Sequence, residues 1–554
     1  MTIDAILPRE RVDSMMRSGL WPDLTLLQCL EQACRRAPSA TAVIDHNSIT
    51  GHRTTLNYRQ LDECSRRIAA GLRRLGVARG EVVSFQLPNW WQFTALHLAC
   101  LRIGAVSNPL MPIFRQRELE FMLGLAEARV LIVPAIFRGF DHEAMAHTLQ
   151  ARLRRLQHVL AIGGCGPDSF EARLLAGNLD PEAMLADARP MTPNDVVQIL
   201  YTSGTTGEPK GVMHTSNTLF SNLVQYARRL QLSESDVVLM ASPLAHQTGF
   251  MYGMMLPIYL GCASVLQDVW NAETATDIIE HERITYTFAS TPFLSDMAEV
   301  AAQRPAAFNS LRTFHSAGAT IPGSLVRSAT ERMGARIISG WGMTENGAAT
   351  STKPDDPPEK TFESDGCAME GMALRVVDAE GRPLAIGQSG HLQVRGCSNF
   401  VGYLKRPQLY QTDAEGWFVT GDIARLDADG YLRITGRSKD VVIRGGENVP
   451  VVEIENLLFR HPKIREVAVV GRPDARLGER ASAWVVVRPG EMLELADITR
   501  YLAECGVSKT YFPEFLRLCN ELPKTPSGKV QKFQLREMEK EKGEDPGPAR
   551  GPAA

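Results

Sequence analysis

Tyr201-Thr202-Ser203-Gly204-Thr205-Thr206-Gly207-Glu208-Pro209-Lys210-Gly211-Val212 is the stretch around which the chain is organised. The apolar run before it, residues 196–200, reads as a buried strand. Residues 216–231 after it carry a helical pattern. The spacing predicts a hydroxyl- and glycine-rich loop between a strand and a helix. Such a loop can aim backbone N–H groups and hydroxyls at phosphate oxygens, and Lys210 adds a positive charge. Gly204, Gly207 and Gly211 permit turns that a side chain would block. By composition alone, a flexible surface loop would fit as well. The Walker pattern needs glycine directly before the lysine and Ser/Thr directly after it; here Pro209 and Gly211 take those places.

Outward from the loop, short apolar runs alternate with helical patterns. Strands are expected at 82–87, 105–109, 130–133 and 159–162, then at 237–241, 263–266, 286–289, 311–314 and 336–339. Residues up to about 38 read as a helical lead-in, and 58–75 as an amphipathic helix with Leu61, Ile68, Leu72 and Leu75 on one face. Residues 163–194 are rich in Gly, Pro and Asp and read as a surface crossing. This alternation implies an α/β fold of mostly parallel sheets covered by helices. From about residue 372, short strands spaced by Gly and Asp turns imply a small β-rich subdomain. The polar stretch 436–440 separates it from a final α+β segment, and from Glu539 the chain reads as a disordered tail. The expected division is 1–436 as a large N-terminal domain, 437–440 as a hinge, 441–538 as a smaller mobile C-terminal domain, and 539–554 as tail.

A chain of 554 residues is too long for one core. A net charge of -3 calls for neither nucleic acid nor an anionic membrane as partner. The ten cysteines are scattered, with no C-x-x-C pair or zinc spacing, and read as reduced thiols of a cytoplasmic protein. No secretory h-region stands at the N-terminus. The longest apolar stretch, 250–260, is too short to span a bilayer and reads as a buried helix.

Other strings carry chemistry. His315-Ser316-Ala317-Gly318-Ala319 follows a strand, and its small residues let a flat ring approach the backbone. In Gly340-Trp341-Gly342-Met343-Thr344-Glu345, Trp341 offers a face for a purine and Thr344 a donor for a phosphate oxygen; Glu345 is a hard oxygen ligand suited to Mg²⁺. Taken singly, a tight turn, a solvated carboxylate or a Gly-Asp turn means little.

Together with the opening loop, these strings resemble the signature motifs of the adenylate-forming enzymes: acyl-CoA synthetases, luciferase-like enzymes and peptide-synthetase adenylation domains. The resemblance covers residues 25–535. It implies that Thr202, Ser203, Gly204, Thr205, Thr206 and Lys210 hold the phosphates of ATP. Ser316, Gly318, Ala319, Gly340, Trp341 and Gly342 would surround adenine, with Trp341 where tyrosine is more usual. Asp422 of Thr420-Gly421-Asp422 would accept from the ribose hydroxyls, and Arg437 would reach ribose and phosphate. Lys439 would be the hinge. Gly445, Gly446 and Glu447 would line the thiol's path, although Pro450 lies one residue earlier than the family's proline. Lys529, closing Pro523-Lys524-Thr525-Pro526-Ser527-Gly528-Lys529, would be the catalytic lysine. His246 matches a position that gates the carboxylate, against the alternative of a buried structural histidine. Phe250, Met251, Met254 and Met255 fit an acid pocket or plain core equally well.

The implied chemistry is acid + ATP + coenzyme A giving acyl-CoA, AMP and pyrophosphate. A carboxylate is a poor electrophile with a poor leaving group, and transfer of AMP cures both faults. Charge builds on phosphoryl oxygens, so its stabilisation is the main task. Lys529 would bridge the α-phosphate and the attacking carboxylate, with Thr344, Glu345 and Mg²⁺ at the phosphates. The stretch 243–270 resembles enzymes acting on cyclohexanecarboxylate and related short or medium acids. Two rivals stand beside this: an adenylation enzyme loading a carrier protein in trans, and an inactive nucleotide-binding scaffold. The oligomeric state is left open, a homodimer among the options.

Overall fold

The computed structural model describes the chain except residues 1–2, 4, 176–178, 203–207, 319–320, 439, 445–446, 475, 526–527 and 542–554; residues 447–448 and 541 are described by backbone alone. Two sheets build the large N-terminal domain. The first has nine strands in the order Cys367–Ala368, Gly347–Ser351, Arg336–Met343, Thr313–Ala317, Tyr286–Ala289, Val237–Met240, Ala263–Gln267, Thr41–His46 and Arg53–Asn57. From Arg336–Met343 to Thr41–His46 neighbours run parallel, and both flanks are antiparallel. The second has six, in the order Lys210–Thr215, Val196–Thr202, Val106–Pro109, Val82–Phe85, Val130–Pro134 and His158–Ile162. Val82–Phe85, Val130–Pro134 and Tyr286–Ala289 are buried at every position. That is why they read as unbroken apolar runs: helices cover parallel strands on both faces.

Capping boxes open Leu26–Arg36 at Thr25, Tyr58–Arg74 at Asn57 and Ser216–Arg229 at Thr215. Helix Trp91–Ile103 is buried from Phe93 to its end, as an all-round apolar helix must be. An antiparallel four-stranded sheet, Met372–Val377, Gly390–Gly396, Phe418–Leu426 and Leu432–Arg437, forms the β-rich part. The smaller C-terminal domain holds a five-stranded sheet built on the hairpin Ile464–Asp474/Gly478–Val487. Among the described residues no helix is long and apolar enough to cross a membrane.

Several expectations need correction. The glycine-rich loop joins a strand to a second, antiparallel strand, Lys210–Thr215, and only then does the helix begin. Thr202 and Lys210 face each other across that ladder. The apolar run 250–260 is the expected buried helix, with only its first part, Gly249–Met255, wound as a π-helix before the α-helix Leu256–Leu260. Thr41–His46 and Arg53–Asn57 were not expected as strands. Segment 163–194 does not simply cross the surface, since Phe170 and Leu174 are fully buried. Helix Lys532–Glu541 runs through the expected start of the tail, and Glu539 is 2% exposed. Its carboxylate accepts from Ser482 Oγ at 2.6 Å and Arg517 Nε at 3.3 Å, with Arg472 Nη1 at 3.9 Å. A charged run reads as solvated unless its partners, distant in sequence, are known.

Candidate active site

Strand register gathers the site. Ala289 is level with Ser316, Ser316 with Ser339, and Ala317 with Gly340, so the turns after three parallel strands meet at one sheet end. Open α/β sheets bind ligands at that carboxyl end. Ser316 is fully buried there, and Gly318 has φ +93°. Over Gly318 lies Lys529: a Cβ on the glycine would stand 2.8 Å from Lys529 Cε and 3.6 Å from Nζ. The lysine arrives on a tight turn in which Gly528 N donates to Thr525 O at 2.8 Å and Lys529 N to Thr525 Oγ1 at 3.1 Å. Gly528, at φ +81°, seats against helix Thr291–Ala301 and its cap; a Cβ there would lie 2.6 Å from Ser290 Oγ and 3.4 Å from Pro292 Cγ.

Burial pushes the Lys529 ammonium down to about 8, helped by the Arg437 charge, while Asp422 and Glu345 pull it back up. The His246 imidazole is pushed down to about 3, by burial first and by Lys529 second, so it is neutral at physiological pH. His246 accepts from Thr248 N at 3.3 Å through Nδ1. Its loop is pinned by Asn89, which accepts from Leu244 N at 2.8 Å and donates to the carbonyls of Ser242 and Gln267 at 2.9 and 3.1 Å. Phe250, Met251, Met254 and Met255 are all buried in the π-helical turn that follows. Single π turns inside helices recur at functional sites.

Trp341 is 8% exposed and its indole Nε1 donates to Asp422 Oδ2 at 3.0 Å. Arg437 Nε pairs with the other carboxylate oxygen at 2.8 Å, because Asp422 and Arg437 are cross-strand neighbours. The motif's glycines serve the protein's own packing: a Cβ on Gly340 would lie 2.6 Å from both His315 Nε2 and Thr350 O, and one on Gly342 would strike the Gly347 carbonyl. His315 itself stacks on Phe288 at 4.1 Å and hydrogen-bonds the Tyr226 hydroxyl, a structural role.

Glu345 is 4% exposed, and burial raises its carboxyl above the ordinary range against the pull of Tyr403, Lys210 and Arg437. Tyr403 Oη donates to Glu345 Oε1 at 2.8 Å, and Lys210 Nζ stands 4.8 Å from the Tyr403 ring centre. The Thr344 carbonyl accepts from His214 Nε2 at 2.8 Å. No group of three or more His, Cys, Asp and Glu side chains able to hold a metal occurs among the described residues. A buried single carboxylate with one oxygen engaged fits a cation held jointly with substrate phosphates, as Mg²⁺ usually is.

The structure thus brings Lys529, His246, Glu345, Ser316, Gly318, Trp341, Asp422 and Arg437 together around one sheet end, with Lys210 close to Glu345. Ser203, Gly204, Thr205, Thr206, Ala319, Lys439, Gly445 and Gly446 lie outside the described residues; Glu447 is known only as the first residue of strand Glu447–Val449. Sequence reasoning missed Tyr403, His214 and Asn89. Their only signal was a polar group inside an otherwise apolar run.

Residues 30–404 match the AMP-binding enzyme family, and residues 453–529 its AMP-binding enzyme C-terminal domain. The medium-chain fatty-acid–CoA ligase of Escherichia coli K12 is 35% identical over 542 residues, 97% of this chain and 94% of that protein. A salicyl-AMP ligase / salicyl-S-ArCP synthetase of Mycobacterium tuberculosis is 33% identical over 534 residues, 95% of this chain and 92% of that one. Among solved structures, an anthranilate CoA ligase in complex with anthranoyl-AMP superposes with a TM-score of 0.81 at 26% identity, covering 93% of this chain and 97% of that chain. The motifs, the two-part fold and these relatives agree: the chain belongs to the adenylate-forming AMP-binding enzymes, as an AMP-forming acid–thiol ligase.

Proposed function

We propose that this protein joins a carboxylic acid to coenzyme A through an acyl adenylate, in the cytoplasm, with cyclohexanecarboxylate or a short- to medium-chain acid as substrate. The observation that carries the reading is the contact of Lys529 with Gly318 at the sheet end that also holds Asp422 and Glu345. In this reading Lys529 supplies the cation between the α-phosphate and the attacking carboxylate. Asp422 and Arg437 take the ribose, Trp341 with Ser316, Gly318 and Ala319 the adenine, and the 202–210 loop with Lys210 the outer phosphates. Thr344 donates to phosphate, and Glu345 would hold Mg²⁺, which when bound would supply positive charge beside the phosphates. Neutral His246 guards the acid without repelling or trapping it as a salt. The C-terminal domain then turns about Lys439, withdrawing Lys529 and bringing Gly445, Gly446 and Glu447 to the thiol path.

A panel of acids assayed for AMP release with CoA tests the substrate. Cyclic and short- to medium-chain acids are expected to turn over faster than long-chain ones, and the reverse order would overturn this part. The second reading, loading of a carrier protein, draws on the salicyl-S-ArCP synthetase likeness. It predicts that a carrier outcompetes free CoA as acceptor in the same assay.

The pH profile is also fixed in sign. The Lys529 amine, ordinarily near 10.5, titrates at about 8 here, so adenylate formation should fall as pH rises through and beyond 8. Thioester formation from supplied adenylate should lack that limb. In Lys529→Arg whatever activity remains should lack it too. Because the folded value lies below the unfolded one, burying the ammonium costs stability below about pH 8, and that cost fades as pH climbs towards 10.5. Pyrophosphate exchange into ATP across pH is the measurement.

A further inference from the structure

Asp422 is 2% exposed and has a rigid neighbour on one oxygen and a flexible one on the other. Oδ1 pairs with Arg437, whose side chain is 47% exposed. Oδ2 accepts from the indole of Trp341, which is 8% exposed. The tryptophan is held from behind as well. Its backbone N donates to Thr350 Oγ1 at 2.9 Å, and Trp341 is paired with Thr350 across the strand ladder. A two-torsion aromatic side chain in such a slot has little freedom, whereas a half-exposed arginine has much. A carboxylate has about four lone-pair directions. With one taken on each oxygen, the direction of the others is set by whichever donor cannot move.

We propose that Trp341 is a positioning residue for ribose recognition: its indole N–H fixes the plane of the Asp422 carboxylate so that the remaining lone pairs face the ribose hydroxyls. The inference rests on the reading that Asp422 binds ribose, and it gives Trp341 a task separate from stacking on a base. Hydrogen bonds to an ionised, desolvated acceptor are among the stronger ones. Losing the N–H lets the carboxylate turn and weakens its grip on hydroxyls without touching base or phosphates.

Calorimetric titration of the full chain with ATP and with 2′,3′-dideoxy-ATP tests this. The parent protein should prefer ATP. Trp341→Phe should shrink that preference by about tenfold. Replacing Trp341 by benzothienylalanine, which keeps the ring shape and puts sulfur in place of N–H, should do the same. Any change in stacking on the base is common to both nucleotides and cancels in the ratio of their affinities, so that ratio is the readout. An unchanged ratio in the benzothienyl variant overturns the proposal. If Trp341→Phe fails to fold, the benzothienyl variant decides alone. Asp422→Asn separates the two layers. If that variant keeps the full preference for hydroxylated ribose, the Asp422 reading falls and the Trp341 inference with it. If it loses the preference and the indole variants keep it, only the Trp341 inference falls.

Discussion

Lys529→Ala is expected to lose acyl-adenylate formation by on the order of 10²–10³ in rate, while thioester formation from supplied adenylate stays near the parent rate. The alanine removes a half-buried cation that stands over Gly318 and feels the charges of Asp422, Glu345 and Arg437. Charge develops on the phosphoryl oxygens in the first half-reaction, and a preorganised cation in a dry site counts for most there. The second half-reaction expels AMP under thiol attack and has no carboxylate to bring against a phosphate. Removing a half-buried ammonium whose charge is disfavoured by desolvation also relieves that cost, so the variant should be about as stable as the parent. Lower activity cannot then be blamed on unfolding. Equal loss in both half-reactions, measured by pyrophosphate exchange and by CoA consumption with synthetic adenylate, would sink the two-orientation account.

Glu345→Gln is expected to slow adenylate formation by roughly 10²-fold and to raise the Mg²⁺ concentration needed for half-maximal rate. Glutamine keeps the shape and can still accept from Tyr403, which bonds Glu345 Oε1 at 2.8 Å. The substitution therefore isolates charge. The carboxyl is raised by burial yet opposed by Lys210 and Arg437, so it is a costly anion kept beside cations. Such a group is retained where a ligand cation repays the cost. A titration of rate against Mg²⁺ is the check; an unchanged Mg²⁺ requirement would remove Glu345 from the phosphate end of the site.

Much of this was readable from residues alone, and for a physical reason. Strands buried on both faces advertise themselves as apolar runs, so Val82–Phe85 and Tyr286–Ala289 stood out. Edge strands do not: Arg53–Asn57 is partly exposed along its length and looks like a polar turn. Lys210–Thr215 opens on Lys-Gly and holds His214, so its pairing with Val196–Thr202 was invisible until the ladder was seen. Resemblance to the family's motifs named Lys529, Asp422, Glu345 and Trp341, but not what supports them. Tyr403, His214 and Asn89 act through contacts with residues far away in the chain. Even the glycines carried two messages. Gly318 gives way to Lys529, where the sequence pointed to a flat ring, whereas Gly340 and Gly342 give way to the protein's own backbone and His315.

The helix Lys532–Glu541 bears on how the enzyme changes state. Lys532 is tied to Glu455 at 2.6 Å, Arg536 to Asp440 at 2.7 Å, and Glu539 is sunk among Ser482, Arg517 and Arg472. Only two residues separate Lys529 from the first of these moorings. The Lys529 backbone is therefore carried by the C-terminal domain. It is a passenger, and emptying its seat requires the whole vehicle to turn.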